Sequence, residues 1–276
     1  MQIQKTILVT GCSSGIGAHC ARALKTDGWQ VFATARKPQD IDALKADGLE
    51  AFYLDYSEPE SIADLTENLL TLTGNRLDAL YNNGAYAQPG AVEDLSSDAL
   101  RQQFEANFFG WHDLTRRIVP IMRSQGHGRI VQCSSILGLV PMPWRGAYNA
   151  SKYALEGLSL TLRQELAGSG VHLSLIEPGP IESRMSANAL PHVERHIDVE
   201  GSVHRIAYQS ELKRLRQGGV RSRFKLKPDA VYEALKHALE SPRPKPHYVL
   251  TRPAQFATIL KRILPARALY NFLGRQ

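Results

Sequence analysis

Thr6-Ile-Leu-Val-Thr10-Gly-Cys-Ser-Ser-Gly15-Ile-Gly17 is a short apolar run, a glycine-rich turn and the start of a helical pattern, in that order. Glycines let the backbone turn tightly and come close to a bound pyrophosphate. The helix that follows offers free N–H groups and the positive end of its dipole. The spacing is GxxxGxG rather than the more familiar GxGxxG, and a glycine-rich turn alone carries little weight. Its place between a strand and a helix, at the start of a βαβ unit, makes it informative.

The rest of the chain repeats that alternation. Strand-like runs are expected at Thr6–Thr10, Gln30–Thr34, Ala51–Asp55, Ala79–Asn82, Arg129–Ser134, His172–Glu177 and His247–Thr251. The first six are short and rich in Val, Ile, Leu or aromatics, as strands buried on both faces of a parallel sheet should be. Helical segments of crossover length separate them. The expected fold class is therefore α/β: a Rossmann-type doubly wound parallel sheet of about seven strands, with helices on both faces and right-handed crossovers. Ligands of such sheets bind outside the carboxyl ends of the strands. No repeat, low-complexity tract or linker interrupts the 276 residues, so 1–276 is read as one domain.

Composition narrows the function classes. With 43% hydrophobic residues the chain can bury one large core. No apolar stretch is long enough to span a bilayer, and the N-terminus lacks a signal-peptide layout. The three cysteines, Cys12, Cys20 and Cys133, form no CxxC pair, which suits reduced thiols in the cytoplasm. The net charge of +6 is uneven: residues 201–276 hold 16 Lys and Arg against 4 Asp and Glu, while the first 200 hold 17 against 23. A basic last quarter fits either a solvated face or an anionic partner such as lipid head groups. Nucleic acid is not the expected partner.

Thr34-Ala35-Arg36-Lys37 closes the second strand. A fold that binds NAD usually places an acidic residue here for the ribose 2′-hydroxyl. Arg36 instead offers a fork of donors suited to a 2′-phosphate, which favours NADP(H). Asp55, at the end of the third strand, can accept from an adenine amino group. Asn82-Asn83-Gly84-Ala85 is a polar turn at the same sheet edge. Asn107 sits in an apolar helical pattern, where it is either a satisfied core polar group or a holder of water.

Ala147-Tyr-Asn-Ala-Ser-Lys-Tyr-Ala-Leu155 forms a helix with Tyr148 and Lys152 one turn apart on one face. A phenol with an ordinary pKa of about 10 needs a nearby cation to exchange a proton near neutral pH, and Lys152 can supply that field. Tyr and Lys at this spacing also occur by chance on many helices. Ser135, thirteen residues upstream at a strand end, can hold a substrate oxygen while Tyr148 moves its proton. Ser134 points to the opposite face by strand alternation.

The set TGxxxGIG, Asn-Asn, an Asn in the next helix, Ser, YxxxK and Pro-Gly after the sixth strand resembles the short-chain dehydrogenase/reductase family over residues 5–185. The finer pattern is similar to the branch of 17β-hydroxysteroid dehydrogenases, retinol dehydrogenases and bacterial aldehyde reductases. The resemblance implies Tyr148 as acid/base and Lys152 as the residue that lowers its pKa and bonds the nicotinamide ribose. It implies Ser135 as the group that polarises the substrate oxygen, and Asn107 as the holder of a water linking Lys152 to solvent. Gly11, Ser13, Gly15, Ile16 and Gly17 would form the phosphate turn, with Asp55 on adenine and Asn82 against the adenosine ribose. Pro178 and Gly179 would shape the nicotinamide pocket, and Ser183 stands where the family commonly has Thr. The family usually reads Asn-Asn-Ala-Gly where this chain has Asn82-Asn83-Gly84-Ala85, a change that would move the turn if a glycine is needed for close approach.

Residues 184–227 are the least regular part and are expected to form a substrate lid. Met142, Trp144, Met185 and Leu190 are candidates for an apolar cleft, although ordinary packing explains each singly. His192 and His196 are four apart, but the HExxH pattern and a third ligand are missing, so no metal is expected. Residues 253–276 form a basic amphipathic extension broken at Pro265. It is expected to cover the cleft, meet a sister subunit or lie on an anionic membrane surface. The reading as a whole is an NADP(H)-dependent oxidoreductase that interconverts a hydrophobic carbonyl and its alcohol. By resemblance it would be a homodimer or homotetramer joined through the helices of Asn107 and Tyr148. The alternatives are a non-catalytic NADP(H)-binding sensor or scaffold, or a steroid or retinol dehydrogenase working mainly in the oxidative direction.

Overall fold

The computed structural model describes residues 4–219 and 223–274. Seven strands form one parallel sheet in the order β3-β2-β1-β4-β5-β6-β7. They are β1 (Thr6–Val9), β2 (Gln30–Ala35), β3 (Glu50–Tyr53), β4 (Ala79–Asn82), β5 (Gly128–Cys133), β6 (Val171–Pro178) and β7 (His247–Leu250). Each lies within two residues of its expected bounds. Every pairing is parallel, from Thr6↔Gln30 between β1 and β2 to Pro178↔Leu250 between β6 and β7.

The helices are α1 (Gly15–Thr26), α2 (Pro38–Ala46), α3 (Pro59–Thr73), α4 (Ser97–Phe104), α5 (Gly110–Gln125), α6 (Gly146–Glu165), α7 (Met185–His196), α8 (Arg205–Arg216), α9 (Asp229–Glu240), α10 (Arg252–Ile263) and α11 (Ala266–Leu273). The strand order reverses after β3, so right-handed crossovers place α1 and α2 on one face and α3, α5 and α6 on the other. α9 packs beside α1, where Tyr232 and Lys236 both reach Asp27. The core runs through the sheet centre, with Ile7, Leu8, Phe32, Leu80, Tyr81, Ile130, Leu173 and Leu175 fully buried. All three cysteines are buried and free.

Two regions differ from expectation. The segment read as irregular contains α7 and α8, whose inner faces (Ala189, Val193, Tyr208 and Leu215) form a small core of their own with Trp144 and Leu190. Its 12-residue helices were hidden because α8 carries only two buried residues, Tyr208 and Leu215, too few for an apolar stripe. The amphipathic extension is a pair of helices, α10 and α11, separated at Pro265 as the sequence suggested. Residues 220–222 of the lid, 275–276 of the extension and 1–3 at the start of the expected domain lie outside the described residues. Among the described residues no helix is long and apolar enough to cross a membrane.

Candidate active site

The turn after β1 is held from two sides. The Cys12 amide donates to Thr34 O on β2 (2.7 Å), and the Gly11 amide donates to Thr34 Oγ1 (3.3 Å). From the β4 side, Asn83 Nδ2 donates to Thr10 O (3.0 Å), and the Asn83 and Gly84 amides donate to Thr10 Oγ1 (2.8 and 3.2 Å). Thr10 is thus the node that joins the two turns, a role the sequence did not reveal because a Thr at a strand end is common. Gly11 has φ +68°, and a Cβ there would lie 2.4 Å from Gly84 Cα. Close approach therefore needs the glycine at 11, whereas a Cβ on Gly84 would stand 3.3 Å from Gly11 Cα and N, tight but without a clash. Gly11→Ala combines a left-handed backbone with that clash. A drop in melting temperature of roughly 5–10 °C is expected, read by calorimetry.

A groove runs along the carboxyl ends of β1, β2 and β4. Gly11, Ser13, Gly15, Ile16, Arg36, Asp55 and Ser183, all expected site residues, line it. Ser14 precedes α1 without a side-chain capping bond, which leaves the helix's first amides for a ligand. Ser183 faces Gly15, its Cβ 3.3 Å from where a Gly15 Cβ would stand. Arg36 Nη1 lies 3.6 Å from Asp55 Oδ2, with the guanidinium largely exposed. Asp55 stands beyond the end of β3 and caps its own turn by accepting from the Ser57 amide (3.0 Å). Gly-flanked backbone, free helix amides and an Arg fork together fit a phosphorylated dinucleotide.

Four expected cofactor contacts lie elsewhere. Asn82 is fully buried: its Oδ1 accepts from the Tyr56 phenol (2.8 Å) and its Nδ2 donates to Thr115 Oγ1 (3.0 Å). The pleat of β4 turns it inward, and the next residues, Asn83 and Gly84, line the groove instead. Gly17 does not line the groove either. A Cβ there would meet Gly11 O at 2.3 Å, so it lets α1 pack under the turn. Pro178 completes β6 opposite Leu250, and the Gly179 amide donates to Leu250 O (3.1 Å). A Gly179 Cβ would fall 2.1 Å from Oγ1 of Thr251, the residue that caps α10, so this glycine makes room for the start of α10.

Ser135, Tyr148 and Lys152 come together as expected. Ser135 follows β5 and caps the short turn Ile136–Gly138. Its hydroxyl stands by the Tyr148 phenol and favours the ionised form, yet burial dominates and pushes that phenol above its ordinary value. Lys152 is 1% exposed. Its ammonium donates to Cys133 O (2.8 Å) and lies 4.1 Å from the centre of the Trp111 ring, against 5.7 Å for the Tyr148 ring. Burial lowers it to about 8. The net direction for Tyr148 is thus upward, with burial the largest cause, and the Lys152 ammonium is directed at the carbonyl and the indole. Ser134 lies on the other side of the strand end, as alternation requires, beside Glu156 on α6.

Asn107 sits in a π-helical turn, Glu105–Phe109, between α4 and α5. Its side chain is satisfied by backbone: Oδ1 accepts from the Tyr86 amide (3.1 Å) and Nδ2 donates to Tyr86 O (2.8 Å). Gln103, one turn earlier, accepts from the Gln88 amide (2.7 Å). These amides fix the loop after β4, and Trp111 Nε1 holds Gly84 O (2.8 Å). Trp111 therefore bridges the groove turn to Lys152, a link without a local sequence signal.

The lid is docked. Tyr86 stacks on His192 at 4.1 Å, and burial lowers the His192 imidazole to about 4. His196 continues the stack at 6.5 Å. Arg145, just before α6, pairs with Glu211 of α8 (2.5 Å). Trp144 takes φ +64° and packs against Tyr208 in the lid core, 5.1 Å between rings. Trp144 and Leu190 are thus lid packing, while Met185 lines the groove.

The chain matches the short chain dehydrogenase family over residues 5–194. It is 40% identical over 271 residues to the uncharacterized oxidoreductase YbbO of Escherichia coli, covering 98% of this chain and 94% of that one. It is 33% identical over 282 residues to human 17-beta-hydroxysteroid dehydrogenase type 1, covering 97% and 83%. A solved short-chain dehydrogenase from Streptomyces avermitilis superposes with a TM-score of 0.79 at 30% identity, covering 98% and 96%. The chain therefore belongs to the short-chain dehydrogenase/reductase family, in the branch that includes 17β-hydroxysteroid and retinol dehydrogenases, and is an oxidoreductase of that family.

Proposed function

We propose that the protein is an NADP(H)-dependent reductase that interconverts a hydrophobic aldehyde or ketone and its alcohol. The observation that carries this reading is the burial of Ser135, Tyr148 and Lys152 together, with the Lys152 ammonium 5.7 Å from the centre of the Tyr148 ring. The dinucleotide would supply or take the hydride. The chain's own groups handle the proton and the oxygen: the Tyr148 phenol donates to the substrate oxygen in reduction, and Ser135 donates a second hydrogen bond as charge develops there. Lys152, held beside Tyr148 by Cys133 O and Trp111, favours the phenolate that remains. Gly11, Ser13, Gly15 and the first amides of α1 would hold the pyrophosphate. Arg36 would clamp the 2′-phosphate, and Asp55 would accept from adenine.

Cofactor oxidation over a panel of aliphatic, aromatic, retinoid and steroid aldehydes and ketones tests the reading. NADPH-dependent turnover is expected, and its absence with every substrate would overturn the reading. Arg36→Ala separates the cofactor argument from the rest. It should weaken NADPH at least tenfold and leave NADH nearly unchanged, because only the 2′-phosphate uses the guanidinium. Equal losses for both cofactors would reject NADP(H) selectivity.

A further inference from the structure

α10 and α11 lie over the loop that follows Ser135. Leu260, Leu264, Leu269 and Leu273 pack on Ile136 and Val140, and Lys261 donates to Leu139 O (2.5 Å). That inner face accounts for half of the amphipathic pattern. The outer face remains open: Phe256 is 54% exposed, Ile259 54%, Ile263 67% and Tyr270 56%. Phe256, Ile259 and Ile263 recur at helical spacing, so they form one stripe along α10. Arg252 continues the stripe one turn toward the N-terminus, and Arg262 flanks it.

Charge decides what covers this stripe. After Glu240 the sequence holds seven Lys and Arg and no Asp or Glu. A second copy docked face to face would bring two such cationic surfaces together. A nucleic acid would leave the apolar centre against phosphates. An anionic lipid surface satisfies both parts, with side chains entering the headgroup–acyl boundary and cations meeting the headgroups.

We propose that the outer face of α10 and α11 docks on an anionic lipid surface. The inner face of the same helices rests on the loop beside Ser135, so docking places the active-site side of the molecule near the bilayer. A consequence that rests on the proposed function is that hydrophobic carbonyl substrates reach the site from the lipid phase.

Flotation of the full chain with phosphatidylcholine vesicles, with and without phosphatidylglycerol, tests docking without relying on turnover. Binding is expected with phosphatidylglycerol and should weaken as salt rises. Arg252→Glu with Arg262→Glu should reduce it at least tenfold. Ile259→Asp with Ile263→Asp should abolish it. All four side chains project outward, so melting temperatures should stay within a few degrees of the parent. Failure to float with phosphatidylglycerol would overturn the proposal, as would flotation unchanged by either pair of substitutions. Concentration-dependent self-association that Ile259→Asp abolishes, without vesicle binding, would assign the face to a second copy and equally overturn it. Vesicle binding without carbonyl turnover would sink the proposed function and leave docking intact.

Discussion

Tyr148→Phe should lower carbonyl turnover by about 10²–10⁴-fold, the range for loss of a positioned general acid, while leaving cofactor affinity within a few-fold. The phenol is buried, so removal of one oxygen leaves the ring packing in place. The cofactor groove is lined by other residues, from Gly11 to Ser183, which is why binding should persist. Ser135→Ala should cost less, roughly 10²-fold, because it removes a hydrogen bond to the developing charge but not the proton donor. Stopped-flow reduction of an active aldehyde, with NADPH binding followed by fluorescence, separates the two losses. A Tyr148→Phe enzyme with unchanged turnover would assign the proton to another group. A parent protein that binds NADPH tightly and turns over no carbonyl would favour a sensor.

The strands were legible because each is a short apolar run bounded by polar or glycine residues, and a parallel sheet buries such runs on both faces. The Ser135–Tyr148–Lys152 grouping was legible because helical spacing fixes one pair and a strand end supplies the third member. Asn82 was misplaced because its neighbour Asn83 has the same chemistry. Only the pleat of β4 tells which of the two faces the groove. Trp111 and Thr10 were missed because each acts through contacts distant in sequence, from Trp111 to Gly84 O and Lys152 and from Thr10 to Asn83. α7 and α8 were hidden because most of their residues remain exposed. The direction of the Lys152 ammonium is likewise set by Cys133 O and the Trp111 ring, neither of which helical spacing brings into view.

Behind the candidate catalytic face, Glu156 should make the protein less stable at pH 8 than at pH 5, and Glu156→Gln should remove most of that loss. Glu156 lies one turn beyond Lys152 on α6, and neither of its carboxyl oxygens has a well-formed hydrogen bond among the described residues. Lys152 faces it from its own helix, Ser134 from just after β5, Glu177 from β6 and His247 from β7, with His247 Nδ1 at 3.9 Å. Glu177 is better served, since it pairs with His247 Nδ1 (2.5 Å) and accepts from the Tyr248 amide (2.9 Å). Burial, reinforced by Glu177, therefore raises Glu156 from 4.5 to about 7. Between those values the folded chain keeps a proton that the unfolded chain has released, so stability falls as pH rises, by at most roughly 3 kcal/mol. Lys152 has the opposite sign. Burial lowers it from 10.5 to about 8, so from there upward the unfolded chain holds the extra proton and stability recovers. The least favourable region is pH 7–8, where both buried groups are charged. Urea unfolding from pH 5 to 9 should show this dip in the parent, and the Gln variant should lack its acid side. Glu156 also helps keep Lys152 protonated, so the variant's alkaline limb of turnover should move toward neutral pH. Parallel stability curves with unchanged pH limbs would show that Glu156 is only a packing residue. A moved limb would show that the charge of Lys152 is set partly from beneath, by a carboxylate that touches no substrate.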